Sequence, residues 1–255
     1  MALIFDVLLM NEEIRNHRNA LRKKQYRRIQ RNLRDNSNPF ELPDKIFTKL
    51  FRLDKETCQL IIHSISEHMH DSQRSTFVPK HLRILCTLHF LGHGSYQTPT
   101  GQLHQIALSQ PMVSRSIAEV TDLIVKHLLH RYIIFPVGEN RNRVQDTFNE
   151  KFPHFNGLCG VIDCTHIKII SPPVNHSVHP AAPYYCRKGY YSINTQIICD
   201  ANKLILNMNA RFPGSTHDAA IWLSSQVKTL LRREYVNGGN SYLISDSGYP
   251  LEPWL

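Results

Sequence analysis

Apolar positions recur every three to four residues through the first half of the chain and every second residue through much of the second half, which predicts a helical region followed by a sheet. Residues 10 to 35 contain neither Gly nor Pro, and Tyr26, Ile29 and Leu33 keep helical spacing among arginines until Asn36-Ser-Asn-Pro39 stops the run. Phe51, Leu53, Cys58, Leu60, Ile61, Ile62 and Ile65 carry a second helical pattern, and Asp54 is placed to cap the helix that follows it. A third pattern begins at Pro79, runs through Leu82, Ile84, Leu85, Leu88 and Leu91, and ends at Gly92 and Gly94. After a short segment from Gly101 to Leu108, Ser109 and Pro111 open a longer helix reaching Leu129, with Val113, Ile117, Val120, Ile124 and Leu128 inward.

Helical spacing fades near Ile134, and Pro136, Gly138 and Asn140 mark a linker in which Val144, Phe148 and Phe152 still fit a short helix. Leu158 to Ile170 reads as a strand ended by Ser171, Pro172 and Pro173. A second strand spans Tyr191 to Cys199, with Ile193, Thr195 and Ile197 on one face, and turns at Asp200-Ala-Asn202 into a third, Leu204 to Ala210. Gly214-Ser-Thr-His-Asp218 leads into a helix expected over Ala219 to Leu231, capped by Ser215 or Thr216, and a fourth strand, Ser241 to Ser245, ends in Asp246-Ser-Gly-Tyr-Pro250.

Three strands in series, a helix and a further strand are the opening elements of an RNase H-like fold, in which the fourth strand lies parallel to the first. The expected class is therefore α/β, a partial RNase H-like domain at the carboxyl end with an all-α, helix-turn-helix-like region before it. The expected organisation is a basic helical arm over 1–40, a helical region over 41–135, a linker over 136–154 and the partial nuclease domain over 155–255.

Charge changes this picture for the first half. The net charge is +9, and the nine basic residues from Arg15 to Arg34 face no acid within that stretch, which favours polyanionic partners. Arg27 and Arg28 are the arm residues assigned to DNA, although a solvated helix face without a partner and an import signal are open alternatives. The order of helix, short helix, turn and longer helix matches a helix-turn-helix, and Gln110, Ser114 and Arg115 then offer base-matching and phosphate-contacting groups at the start of its last helix. An ordinary three-helix packing unit has the same spacing. Six cysteines without a CxxC pair read as reduced thiols in an intracellular protein. MALIFDVLLM is too short to span a bilayer, so no membrane association is expected. Nucleus, with cytoplasm besides, is the expected location.

Asp163 sits in a strand that reads as buried, where a carboxylate is costly unless an Arg, hydrogen bonds or a metal meets it. If the fourth strand lies beside the first, Asp246 converges on Asp163, and two such carboxylates suit Mg2+ or Mn2+. Arg187 and Lys188, ahead of a glycine and among tyrosines, are candidate phosphate contacts, with a solvated loop as the alternative. His166 and His217 lack the companions that zinc needs, and Asp218 reads as a helix cap or as a support for a site carboxylate. A serine-hydrolase elbow, a P-loop and a dinucleotide fingerprint are all missing, which leaves phosphoryl transfer as the enzyme class to consider.

The ordered set Val161-Ile-Asp163-Cys-Thr-His166, Arg187-Lys-Gly-Tyr-Tyr-Ser-Ile-Asn-Thr-Gln196, Pro213-Gly-Ser-Thr-His-Asp218 and Ser245-Asp-Ser-Gly-Tyr-Pro-Leu251, followed by Pro253-Trp-Leu255, resembles the PIF/Harbinger-type transposases and the Harbinger transposase-derived nucleases of animals. The resemblance covers roughly residues 155 to 255. It implies a DDE-type, divalent-metal-dependent DNA endonuclease in which Asp163 and Asp246 are the first two catalytic, metal-holding acids, and it implies a Myb-like DNA-binding partner protein. It also implies a third acid, a Glu on a helix well downstream, whereas the chain stops nine positions after Asp246. Glu252, beside Pro250 and Pro253, is the only acid after Asp246 and is expected in a loop. Activity of this chain alone is therefore expected to be weak or absent, the fourth strand is expected to show an uncovered edge, and a non-catalytic DNA-binding or partner-binding protein is the alternative. The oligomeric state is not legible.

Overall fold

The computed structural model describes residues 2–71 and 77–255, which divide into two compact units, 1–130 and 131–255. In the first unit, α1 (Ala2–Asp35) is followed by α2 (Asp44–Phe51), α3 (Lys55–Ser66), α4 (Lys80–His93), α5 (Gln97–Gln102) and α6 (Gln110–Ile124). A π-helical turn (Val125–Leu129) ends this run, and a short turn, α7 (His130–Tyr132), spans the division between the units. Asp54 caps α3 by accepting the Thr57 N–H at 2.6 Å, and Gly94 closes α4 in the left-handed region at φ 59°. Ser109 stands at the start of α6, but its hydroxyl makes no capping bond.

Phe47, Phe51, Ile65, Leu82, Leu85, Ile106, Val113 and Val120 form one apolar core, with α4 packed against α2, α3, α5 and α6. Arg83 is buried on α4 because Glu119 meets it at 2.5 Å and the His70 carbonyl accepts from it at 2.9 Å. Without those partners a guanidinium there would be strongly destabilising. Among the described residues no helix is long and apolar enough to cross a membrane.

Two histidines are expected to give this unit a pH dependence. Burial holds His81 and His89 below the ordinary imidazole range; at His89 the Leu50 carbonyl, 2.7 Å away, opposes this, while His93 and Arg52 reinforce it. The unfolded chain takes up protons near pH ~6.5 that the folded one refuses, so their contribution is intact above that value and declines below it. Thermal unfolding is expected to shift downward between pH 7.5 and 5.5, and less so in a His81→Gln, His89→Gln double variant. An equal shift in both proteins would rule these histidines out as the cause.

The second unit opens with α8 (Glu139–Lys151) and continues with β1 (Leu158–Lys168), β2 (Ser192–Cys199), β3 (Ile205–Pro213), α9 (Asp218–Leu223), α10 (Gln226–Val236) and β4 (Tyr242–Ile244). The sheet order is β3-β2-β1-β4, with β1–β2 and β2–β3 antiparallel and β1–β4 parallel. A helical region followed by a mixed sheet with flanking helices is the RNase H-like arrangement that the pattern predicts. Gly157 starts β1 at φ 90°, where a Cβ would come within 2.4 Å of the Asn240 carbonyl, and Gln145 of α8 donates to the Gly157 carbonyl and the Ser241 hydroxyl, both at 3.0 Å. These contacts fix where β1 and β4 begin to pair.

The helix expected over Ala219 to Leu231 is two helices, because Ser225 accepts the Val227 N–H and starts a new one. Neither Ser215 nor Thr216 caps the first; His217 holds the cap position without a side-chain bond. The uncovered edge expected at β4 is partly met, since Leu243 donates its N–H to the Trp254 carbonyl at 3.0 Å.

Candidate metal centre and nucleic-acid cleft

Pairing of β1 with β4 is what relates the two distant acids. Val161 and Ile244 are the last parallel pair, and Asp163 and Asp246 each lie two positions further on, Asp163 within β1 and Asp246 just past the end of β4. The Cys164 N–H donates to Asp163 Oδ1 at 2.7 Å, and the Gly248 N–H donates to Asp246 Oδ1 at 2.9 Å in a tight Asx turn. Both side chains are exposed, and among the described residues neither pairs with Lys or Arg.

This corrects the premise of a buried acid. Asp163 shares its face with Val161, 44% exposed, and Ile167, 51% exposed, while the neighbouring Ile162 is 1% exposed on the covered face. The carboxylate therefore needs no compensating charge, and its second oxygen is left for a ligand. Two exposed carboxylates are a donor set suited to a hard divalent cation, with water completing the shell. Among the described residues no group of three or more His, Cys, Asp or Glu gathers to hold a metal.

Glu252 is engaged elsewhere. Its Oε2 accepts from Trp222 and Trp254 at 2.9 and 2.8 Å, and its Oε1 meets Lys228 at 2.6 Å. Burial raises its pKa, but the bonds from Lys228, Trp222 and Trp254 together outweigh this and hold the group below its ordinary range. It works as a structural anchor, with no oxygen spare for a metal.

The covered face of the sheet is polar around β1. Cys164 Sγ and the Tyr249 hydroxyl are 3.2 Å apart, and the Asn194 amide donates to Asp218 Oδ1 and to the Thr216 carbonyl, both at 2.8 Å. Burial pushes the Cys164 thiol up to about 12, Tyr249 lowers it, and Asp218 and Asp163 raise it, so it stays protonated and is no nucleophile. His166 bonds to the Ser192 hydroxyl at 3.1 Å; burial first, then Lys188 and Arg187, depress its pKa, with Asp218 opposing. Arg187 and Lys188 are exposed on a turn closed by Gly189 at φ 83°, so their charge lies near His166. Sequence reasoning assigns no role to Cys164 or Tyr249; the only signal is that each lies in the same motif as one of the acids.

In the helical unit a cleft of about 790 Å³ separates α1 from the α5–α6 corner. Lys24, Arg27, Arg31 and Arg34 line one wall, and Gln110 and Arg115 line the other. Gln110 donates to Gln97 at 2.6 Å, and Arg115 folds back onto the Pro111 carbonyl at 3.2 Å. Arg28 and Ser114 are not among the lining residues.

Residues 162–255 match the family model described as DDE superfamily endonuclease. The chain is 32% identical over 190 residues to the protein named "Putative nuclease HARBI1" of Mus musculus, covering 72% of this chain and 50% of that protein. The Homo sapiens protein of the same name is 27% identical over 221 residues, covering 84% and 59%. "Protein ALP1-like" of Arabidopsis thaliana is 25% identical over 231 residues, covering 83% and 54%. The chain thus spans about half the length of the curated relatives it matches. No solved structure gives a significant match. These likenesses amount to a family-level match of the chain to the PIF/Harbinger-type members of the DDE superfamily.

Proposed function

We propose that this chain carries part of a divalent-metal-dependent DNA endonuclease centre, with Asp163 and Asp246 as the catalytic carboxylates that hold Mg2+ or Mn2+. The observation that carries this reading is that two exposed carboxylates each lie two positions past the last β1–β4 pair, neither engaged by a cation among the described residues. The ion would activate water and offset charge growing on the transferred phosphoryl group. The chain's own contribution is orientation: the Cys164 and Gly248 N–H groups each fix one oxygen of an acid. Arg187 and Lys188 supply charge-assisted contacts to a phosphodiester. Titration with Mn2+ tests the reading, and a chain that binds no divalent ion contradicts it. Nuclear and cytoplasmic location and a Myb-like DNA-binding partner are part of the same proposal and rest on family likeness.

A second reading, DNA binding without cleavage, is favoured by the basic cleft of the helical unit. A phosphate backbone is the partner suited to guanidinium groups on two facing helices. Binding is then expected to be salt-sensitive, to persist in EDTA, and to weaken in an Arg27→Gln, Arg31→Gln, Arg115→Gln variant, the slope of log affinity against log salt falling by about 0.9 for each phosphate no longer neutralised. Arg28→Gln, outside the cleft, is expected to act more weakly. Equal losses in the two variants would point to diffuse charge in place of the cleft.

A further inference from the structure

We propose that Tyr249 and Cys164 act as a clip that sets the spacing of Asp163 and Asp246, making both positioning residues for the metal site. This rests on the reading of the two acids as the metal pair. Cys164 directly follows Asp163 and gives it a backbone hydrogen bond, while Tyr249 ends the tight turn that begins at Asp246, its own N–H returning to the Asp246 carbonyl at 3.3 Å. The Cys164 Sγ to Tyr249 hydroxyl contact therefore ties the segment carrying one acid to the segment carrying the other, on the sheet face away from Asp163.

The clip is needed because the ladder does not reach the acids. Between β1 and β4 the paired positions end at Val161 and Ile244, so Asp246 lies past the last register pair, in a turn whose own bonds from the Gly248 and Tyr249 N–H groups do not reach β1. Tyr249 is 8% exposed and packs in the core with Ile162, Trp222 and Leu243, which gives the clip a rigid base. Asp218, itself held by Asn194, lies near the Cys164 thiol, and Gln196 lies near the Tyr249 hydroxyl. Asn194 and Gln196 are each 1% exposed, so the cluster is closed to solvent, and among the described residues Asn194 Oδ1 and both side-chain polar atoms of Gln196 have no hydrogen-bond partner.

The test compares Tyr249→Phe, Cys164→Ala and Cys164→Ser in the full chain by Mn2+ titration and by amide hydrogen exchange over residues 244–250. Residues supporting metal ligands change affinity by about 10- to 100-fold when altered. Tyr249→Phe and Cys164→Ala are expected to weaken Mn2+ binding about tenfold at the low end of that range and to speed exchange in the turn. Cys164→Ser, whose hydroxyl can both accept and donate, is expected to stay within a few-fold of the parent. Parent-like exchange in Tyr249→Phe would overturn the clip, as would a Cys164→Ser variant no better than Cys164→Ala. A parent chain that binds no Mn2+ would instead overturn the metal reading, and the exchange data would still judge the clip.

Discussion

Asp163→Asn and Asp246→Asn are each expected to lower Mn2+ affinity by more than about 100-fold, since they remove a direct ligand where altering a supporting residue costs ~10–100-fold. Folding stability is expected to hold. Asparagine keeps the shape of the side chain and an oxygen that can accept the Cys164 or Gly248 N–H, and neither acid takes part in an ion pair among the described residues. What each change removes is one negative charge from a site with two. Calorimetric titration beside thermal unfolding separates the outcomes: lost binding with an unchanged melting temperature supports the assignment. Parent-like binding in both variants would remove Asp163 and Asp246 from the site altogether.

Replacing Trp222 by Ala is expected to cost about 3–5 kcal/mol, the largest stability effect in the sheet unit. Trp222 is wholly buried, packs with Ile162, Ile198, Leu206 and Leu243, and donates its indole N–H to Glu252. Alanine leaves a cavity the size of an indole and removes one of three donors to a partly buried carboxylate, so packing and polar costs add. Trp222→Phe fills most of the cavity and isolates the lost hydrogen bond, for which a smaller cost of roughly 1–3 kcal/mol is expected. Urea unfolding of both variants checks the ranking. A Phe variant as unstable as the Ala variant would mean that the Glu252 bond, and not the packing, dominates.

Period-two alternation makes the three leading strands legible, and the turn chemistry of Asp200 is equally open: its carboxylate accepts from Asn202 and Leu204, both at 2.8 Å. The same alternation misleads about which face is covered. Ile193 and Ile197 lie on the less buried face of β2, whereas Ser192, Asn194 and Gln196 are almost wholly buried. No period reveals this, because their burial depends on Asp218, Thr216 and Tyr249 arriving from elsewhere in the chain. The helix break at Ser225 is hidden for a related reason: apolar spacing runs on through Trp222, Val227 and Leu231, and only the side-chain bond to the Val227 N–H interrupts it. The basic arm and the start of α6 can each be picked out, but that both face one cleft is a tertiary fact.

Parallel pairing of β1 with β4 has a consequence for how the protein is made. The β1–β2–β3 meander needs only the loop over residues 169–191 and the turn at Asp200, while β4 must wait for α9 and α10 to be synthesised before it can dock on the remaining edge of β1. Until then that edge offers unpaired backbone groups to any other strand in reach, so ribosome-bound chains pass through a sticky interval in which association with chaperones or with one another competes with completion of the sheet.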